Sequence, residues 1–216
     1  MDRNFAIFDM DGTLVDSMPF WGNLAAEYLQ DQGLPPPTAA QREAMKTMTM
    51  TESSAYIVEQ FGVPCTPQQA AADMNARMEQ HYREDVPLKP GVKEYLESLQ
   101  EKGVQMCVAS ATAQPLIQAC LSRFGVADLF QFLLSCEDVG AGKSSPKVYL
   151  TAAQRLGAAP VETAVYEDAL LAVNTARDAG FYVVGVYDES AAGQWAEIEA
   201  LTKEQIRDYT ALPAEK

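Results

Sequence analysis

Histidine is almost missing from this sequence: among 216 residues there is one, His81. It stands in the polar helical stretch "MEQHYRED", which reads as a solvated surface position. Acid–base chemistry built on imidazole and metal sites made of several histidines are therefore close to excluded. Cysteine is scarce as well. The four, Cys65, Cys107, Cys120 and Cys136, form no C-x-x-C pair, and two of them lie in apolar stretches. A disulfide framework or a zinc site is a poor reading, whereas buried reduced thiols fit a cytoplasmic protein. No apolar segment approaches the length of a membrane span. The N-terminus lacks the basic patch and apolar run of a signal peptide, so cytoplasm is the expected location.

Positive charge is also in short supply. Sixteen Lys and Arg stand against 30 Asp and Glu, for a net charge of −14. Binding nucleic acid by neutralising its phosphates is disfavoured in such a chain. The same field repels a small anionic substrate unless local cations or a metal reverse it at the site. What the chain has in plenty is apolar surface, 48% of residues, enough for a real core.

That apolar surface comes as short runs alternating with helical patterns. "NFAIF", "VQMCVAS", "FQFLLS", "TAVYE" and "YVVGVY" read as buried strands. Between the later ones lie amphipathic helices closed by Gly103, Gly125, Gly157 and Gly180. Ser145 before Pro146 is expected to cap one of them. This alternation predicts an α/β fold with a parallel five-stranded sheet covered on both faces. Residues 18–87 break the pattern with four helical stretches and no convincing strand. The expected division is therefore a core of 1–17 and 88–216 carrying a helical insertion of 18–87. The tail from Glu189 onward is polar and partly helical, with Trp195 packing back on the core. A monomer is the default expectation.

In an open parallel sheet, ligands sit at the carboxyl ends of the strands. Asp9 and Asp11 follow the first strand; Ser110, Ala111 and Thr112 the second; Lys143 the third; Glu167 and Asp168 the fourth. Clustered carboxylates raise one another's pKa and stay ionised only beside a cation. An all-oxygen set favours a hard metal such as Mg²⁺. In that setting Asp9 can attack phosphorus as a nucleophile. Asp11 can protonate the leaving oxygen and later deprotonate water. Ser110, Ala111 and Lys143 are the candidate phosphate-binding residues, placed where phosphoryl charge lies. Thr112 is explained equally well as a helix cap, and Asp16 as support for the first loop.

The stretch "DMDGTLVDS" resembles motif one of the haloacid dehalogenase (HAD) superfamily, in its phosphatase and phosphomutase branch. "VASAT" is similar to motif two, "GKSSPKVY" to motif three and "VYEDALLAVNTARDAG" to motif four, in family order. The resemblance implies a Rossmann-like core and a Mg²⁺-dependent phosphatase of a small phosphate monoester. Asp9 would become an aspartyl phosphate. Asp11 would be the general acid and base, with its backbone carbonyl on Mg²⁺. Asp168 would be a metal ligand, with Glu167 beside it as a ligand or supporting acid. The second aspartate argues against dehalogenase activity. The helical insertion would be a C1-type cap that closes over the site and selects substrate. Ser144, Lys147, Ala169 and Ala172 depart from the usual motif residues, and none is a proposed reacting group.

Three other readings share part of this pattern. A β-phosphoglucomutase-like enzyme shares these motifs, but carries a His after motif one and an Arg on the cap. Here "SMPFWGN" has no His and "TMTMTESSAY" no Arg. A phosphonoacetaldehyde hydrolase needs a cap lysine, for which Lys46 is the candidate. A non-catalytic binding protein of this fold would be expected to lack Asp9 or Asp11. On the insertion, Met45, Met48, Met50, Met74 and Met78 read as core filler. Arg42, Arg77 and Arg83 read as solvated, and Phe20 and Trp21 as candidate substrate contacts.

Overall fold

The structure, a computed structural model, describes residues 3–45, 48 and 50–211. The chain separates into two compact units: Met1–Ser17 with Val86–Lys216, and Met18–Asp85. The insertion closes slightly earlier than the proline-marked boundary suggests. Val86 is buried, Pro87 accepts the Asp16 N–H through its carbonyl at 3.0 Å, and Leu88 pairs with Val15. These residues are therefore tied to the first unit.

From the N-terminus, β1 (Phe5–Phe8) is followed by α1 (Met18–Asp31), α2 (Ala39–Met45), α3 (Met50–Phe61) and α4 (Pro67–Glu84). Then come α5 (Val92–Glu101), β2 (Gln105–Ser110), α6 (Gln114–Ser122), β3 (Leu133–Ser135) and α7 (Cys136–Val139). The last are α8 (Lys147–Leu156), β4 (Thr163–Glu167), α9 (Leu170–Asp178), β5 (Tyr182–Val186), α10 (Trp195–Leu201) and β6 (Glu204–Ile206).

The sheet is parallel throughout, in the order β3-β2-β1-β4-β5-β6. It has six strands, where five are legible in the sequence. The extra strand, β6, lies in the polar tail and pairs Val184 with Glu204 and Val186 with Ile206. Three residues with one apolar side chain carry no periodic signal. β3 is shorter than its apolar run, because the Phe130 N–H turns back to the Ala127 carbonyl at 3.2 Å.

Both faces of the sheet are covered, which is why its central strands are apolar without alternation. On one face Ile7, Cys107, Val165 and Val183 pack with Val148, Tyr149, Val173, Ala176 and Trp195. On the other, Phe8 stacks on Tyr166 with ring centroids 4.1 Å apart. The Tyr166 hydroxyl meets that of Tyr95, from α5, at 2.8 Å, which satisfies two phenols that burial would otherwise penalise. Ser145 Oγ accepts the Lys147 N–H, the first of α8, at 3.4 Å, although Pro146 holds the formal N-cap position. The Ser145 N–H is taken by the Gly142 carbonyl at 3.0 Å, closing a turn around Lys143.

The second unit is a helical bundle packed around Leu24, Tyr28, Leu29, Ile57, Ala70, Met74, Met78 and Tyr82. Met74 and Met78 fill the core, whereas Met45, Met48 and Met50 are only partly covered. The Trp21 indole N–H donates to the Tyr82 hydroxyl at 3.1 Å. His81 is not a solvated residue. Its two ring nitrogens lie 2.7 Å from Glu27 Oε2 and 2.8 Å from Asp85 Oδ2, and its ring lies against Phe20. Arg77 pairs with Asp31 and lies 3.5 Å from Glu27, and Arg83 pairs with Glu79 at 2.8 Å. Lys46 lies outside the described residues.

Candidate active site

The strand order turns on β1, whose neighbours β2 and β4 lead to opposite halves of the sheet. Such a switch point opens a crevice at the carboxyl ends of the strands. Phe8 is in register with Tyr166, and the Asp9 N–H donates to the Tyr166 carbonyl at 3.0 Å. The ladder thus carries Asp9 up beside Glu167. Asp9, Glu167 and Asp168 are all buried, and one oxygen from each lies within 4.8 Å of the others.

Lys143 enters from the Gly142–Ser145 turn after α7. Its ammonium donates to Asp9 Oδ1 and, at 2.6 Å, to Glu167 Oε1. The Tyr149 hydroxyl donates to the same Glu167 oxygen at 2.7 Å. Glu167 Oε2 is buried and has no hydrogen-bond partner among the described residues. A buried carboxylate oxygen left alone is costly, and this one belongs to a cluster of hard oxygen donors. The donor set fits a hard cation.

The electrostatics agree. Burial raises the Asp9 carboxyl well above its usual range; Lys143 pulls it back, and Glu167, Asp168 and Asp11 push it up again. Burial and then the Glu167 charge push Asp168 to about 7. Burial works against the Lys143 ammonium, but Asp9 and Glu167 hold its proton far above the ordinary lysine value. Lys143 alone faces three carboxyl groups, and the raised Asp9 and Asp168 values reflect an acidity it does not offset in full.

The loop after β1 is tightly wound. The Met10 carbonyl accepts the N–H groups of Leu14 at 2.8 Å and Val15 at 3.0 Å. The Tyr209 hydroxyl donates to the Thr13 carbonyl at 3.2 Å. Gly12 sits at φ +77°, and a Cβ there would run into the Asp168 carboxylate.

Asp11 is not among the three converging carboxylates, though its charge reaches Asp9. Ser17 Oγ donates to its Oδ1 at 2.7 Å, and Thr112 Oγ1 to its Oδ2 at 2.7 Å. Ser110 Oγ lies 3.4 Å from the same Oδ2 and accepts the Thr112 N–H at 3.1 Å. Thr112 is not the helix cap. Ala113 holds the N-cap position of α6, with no side-chain cap bond. Ala111, beside them, is exposed. The structure thus groups Asp9, Lys143, Glu167 and Asp168 in one cluster and Asp11, Ser110 and Thr112 in a second, the two joined by the 9–11 segment. Asp16 joins neither cluster; its N–H holds the loop to Pro87. Lys147 is exposed at the start of α8. Sequence reasoning assigned no part to Ser17 or Tyr149. Both had a signal, Tyr149 as the last residue of "GKSSPKVY" and Ser17 as the last of "DMDGTLVDS".

A parallel α/β sheet with carboxylates, a lysine and hydroxyls on its carboxyl rim defines a hydrolase of the haloacid dehalogenase type. The chain belongs to the haloacid dehalogenase-like hydrolase family, whose family model matches residues 6–186. It is an enzyme, a phosphoric monoester hydrolase of that family. It is 30% identical over 169 residues to hexitol phosphatase B of Escherichia coli strain K12, covering 76% of this chain and 75% of that protein. It is 26% identical over 174 residues to the phosphorylated carbohydrates phosphatase of Thermotoga maritima, covering 81% and 80%. The fold is shared with a variant of CbbY from Rhodobacter sphaeroides, solved with xylulose-(1,5)bisphosphate. That match has a TM-score of 0.74 at 20% identity, over 97% of this chain and 96% of that one.

Proposed function

We propose that this protein is a Mg²⁺-dependent phosphatase of small phosphorylated carbohydrates, working through a phosphorylated Asp9. One observation carries the reading. Asp9, Glu167 and Asp168 converge to within 4.8 Å at the switch point, with Lys143 bonded to two of them. The carbohydrate class is supported by the hexitol and carbohydrate phosphatases that the chain resembles over most of its length.

Asp9, Glu167 and Asp168 would hold the cation, together with the Asp11 carbonyl. Bound there, Mg²⁺ supplies positive charge that keeps these carboxylates ionised and lets a phosphate dianion approach. An Asp9 oxygen forms a bond to phosphorus as the bond from phosphorus to the alcohol oxygen breaks. The electron pair of the broken bond goes to that oxygen, which takes a proton from Asp11. Asp11 then removes a proton from water as the water oxygen bonds to phosphorus. The Asp9–phosphorus bond breaks, its electron pair returns to the carboxylate, and inorganic phosphate leaves. Lys143 and Ser110, with the Ala111 backbone, hold the phosphoryl oxygens, where charge lies in a loose transition state.

The unit Met18–Asp85, inserted between Ser17 and Val86 and helical in its described elements, is proposed as the substrate-selecting cap. We place the enzyme in the cytoplasm, acting alone on a free metabolite. Four free cysteines and the lack of any described helix able to cross a membrane support that placement. The test is phosphate release across a panel of hexitol, hexose and pentose phosphates with Mg²⁺. Turnover of the carbohydrate esters supports the reading. Conversion of β-glucose 1-phosphate to glucose 6-phosphate with a bisphosphate activator, without phosphate release, would replace it by a mutase.

A further inference from the structure

We propose that Thr112 is a positioning residue for protonation of the leaving group, through its hydrogen bond to Asp11. The inference rests on reading Asp11 as the general acid. Its basis is the hydroxyl pair on that carboxyl group, Ser17 on Oδ1 and Thr112 on Oδ2, each at 2.7 Å. Two bonds to two different oxygens fix both the position and the plane of a carboxyl group. Effective proton transfer depends on that direction, because a misplaced acid loses most of its advantage.

Ser17 and Thr112 both reach Asp11 through hydroxyls, as does Ser110 Oγ, 3.4 Å from the same oxygen as Thr112. A lysine or arginine can only donate, whereas a hydroxyl also accepts. The same contact therefore persists whether Asp11 carries its proton or has passed it on. Thr112 is itself well anchored. Its N–H is bound to Ser110 Oγ at 3.1 Å, and its branched Cβ restricts the rotamer. Thr112 follows β2 and Asp11 follows β1, and β1 and β2 are paired from Phe5–Gln105 to Phe8–Val108. Both residues lie in the loops just past those strand ends, so each loop starts from a fixed neighbouring position.

A leaving group that needs no proton separates this role from a merely structural one. Nitrophenolate departs unassisted, whereas a sugar alkoxide requires the acid. The ratio kcat/KM covers all steps up to transfer onto Asp9, so it isolates the step in question. The experiment measures kcat/KM with Mg²⁺ on 4-nitrophenyl phosphate and on sorbitol 6-phosphate, for wild type, Thr112→Val, Thr112→Ser and Asp11→Asn. Thr112→Val is expected to lose about tenfold more on sorbitol 6-phosphate than on the aryl ester, the scale of one hydrogen bond to a charged group. Thr112→Ser restores most of it, and Asp11→Asn shows the same preference more strongly. Thermal melting checks that each variant is folded, and Thr112→Ala replaces the valine variant if that one is not. If Asp11→Asn discriminates while Thr112→Val lowers both substrates equally, or neither, the positioning role is overturned. If Asp11→Asn itself does not discriminate, the general-acid reading falls and this inference falls with it.

Discussion

The Asp168 carboxylate occupies the space that a side chain on Gly12 would need. Gly12 also holds φ +77°, a conformation that only glycine adopts without strain. The turn that carries Asp9 and Asp11 can thus lie directly against the far carboxylate of the cluster. Gly103 has nearly the same backbone angle, φ +76°, but nothing lies within 4 Å of its missing Cβ. Gly103→Ala therefore costs only backbone strain, about 1 kcal/mol, and leaves turnover intact. Gly12→Ala costs more and lowers phosphate release by roughly a hundredfold, because the rim shifts by a fraction of the contact distance. Urea unfolding and phosphate release measure both. Equal behaviour of the two variants contradicts the close-approach argument.

Lys143 bridges Asp9 and Glu167 in a setting where neither carboxylate is solvated. Removing one member of a buried ion pair leaves the other uncompensated. Lys143→Met is therefore expected to destabilise the metal-free protein by about 3 kcal/mol and to abolish turnover. Added Mg²⁺ recovers part of the stability but none of the activity. Urea curves in EDTA and in Mg²⁺ test this, and an unchanged midpoint in EDTA would count against it.

Metal dependence follows from the unpartnered Glu167 Oε2 and the converging carboxylates. Chelation with EDTA should stop turnover of 4-nitrophenyl phosphate, and Mg²⁺ should restore it. Saturating Mg²⁺ should also raise Tm, since a ligand at a hundred times its Kd adds about 2.7 kcal/mol. Asp168→Asn should remove the Tm shift. A shift of the same size in that variant places the cation elsewhere.

His81 gives the bundle its own pH dependence. Burial lowers its pKa, but hydrogen bonds to Asp85 and Glu27 and their charges outweigh this and raise it above 6.5. A raised folded-state pKa stabilises the fold in full below the unfolded value, and the gain is lost as pH rises through the folded value. Wild-type Tm should therefore fall relative to His81→Gln as pH rises from about 6.5 through the folded pKa. Parallel curves for the two proteins across that interval contradict the His81 bridge.

Much of the fold was legible because strands buried on both faces must be apolar runs. The β1, β2, β4 and β5 segments all announce themselves in that way. The positions of Asp9, Ser110, Lys143, Glu167 and Asp168 on one rim follow from the same alternation, because parallel strands all end on the same edge. What stayed hidden depends on distant partners. Glu204–Ile206 becomes a strand only because Val184–Val186 offers an edge. Thr112 looks like a cap until Asp11, a hundred positions earlier, is found against its hydroxyl. His81 looks solvated until α1 brings Glu27 to its ring. Contacts across long stretches of chain leave no local trace in the sequence.

The central claim, that Asp9 itself receives the phosphoryl group, is met most directly by acid quench. The enzyme is mixed with a radiolabelled phosphate ester and Mg²⁺, stopped in acid within one turnover, digested and mapped. The label is expected on the peptide bearing Asp9, lost on treatment with hydroxylamine and absent from Asp9→Asn. Turnover with no protein-bound label, or label persisting in Asp9→Asn, contradicts the account.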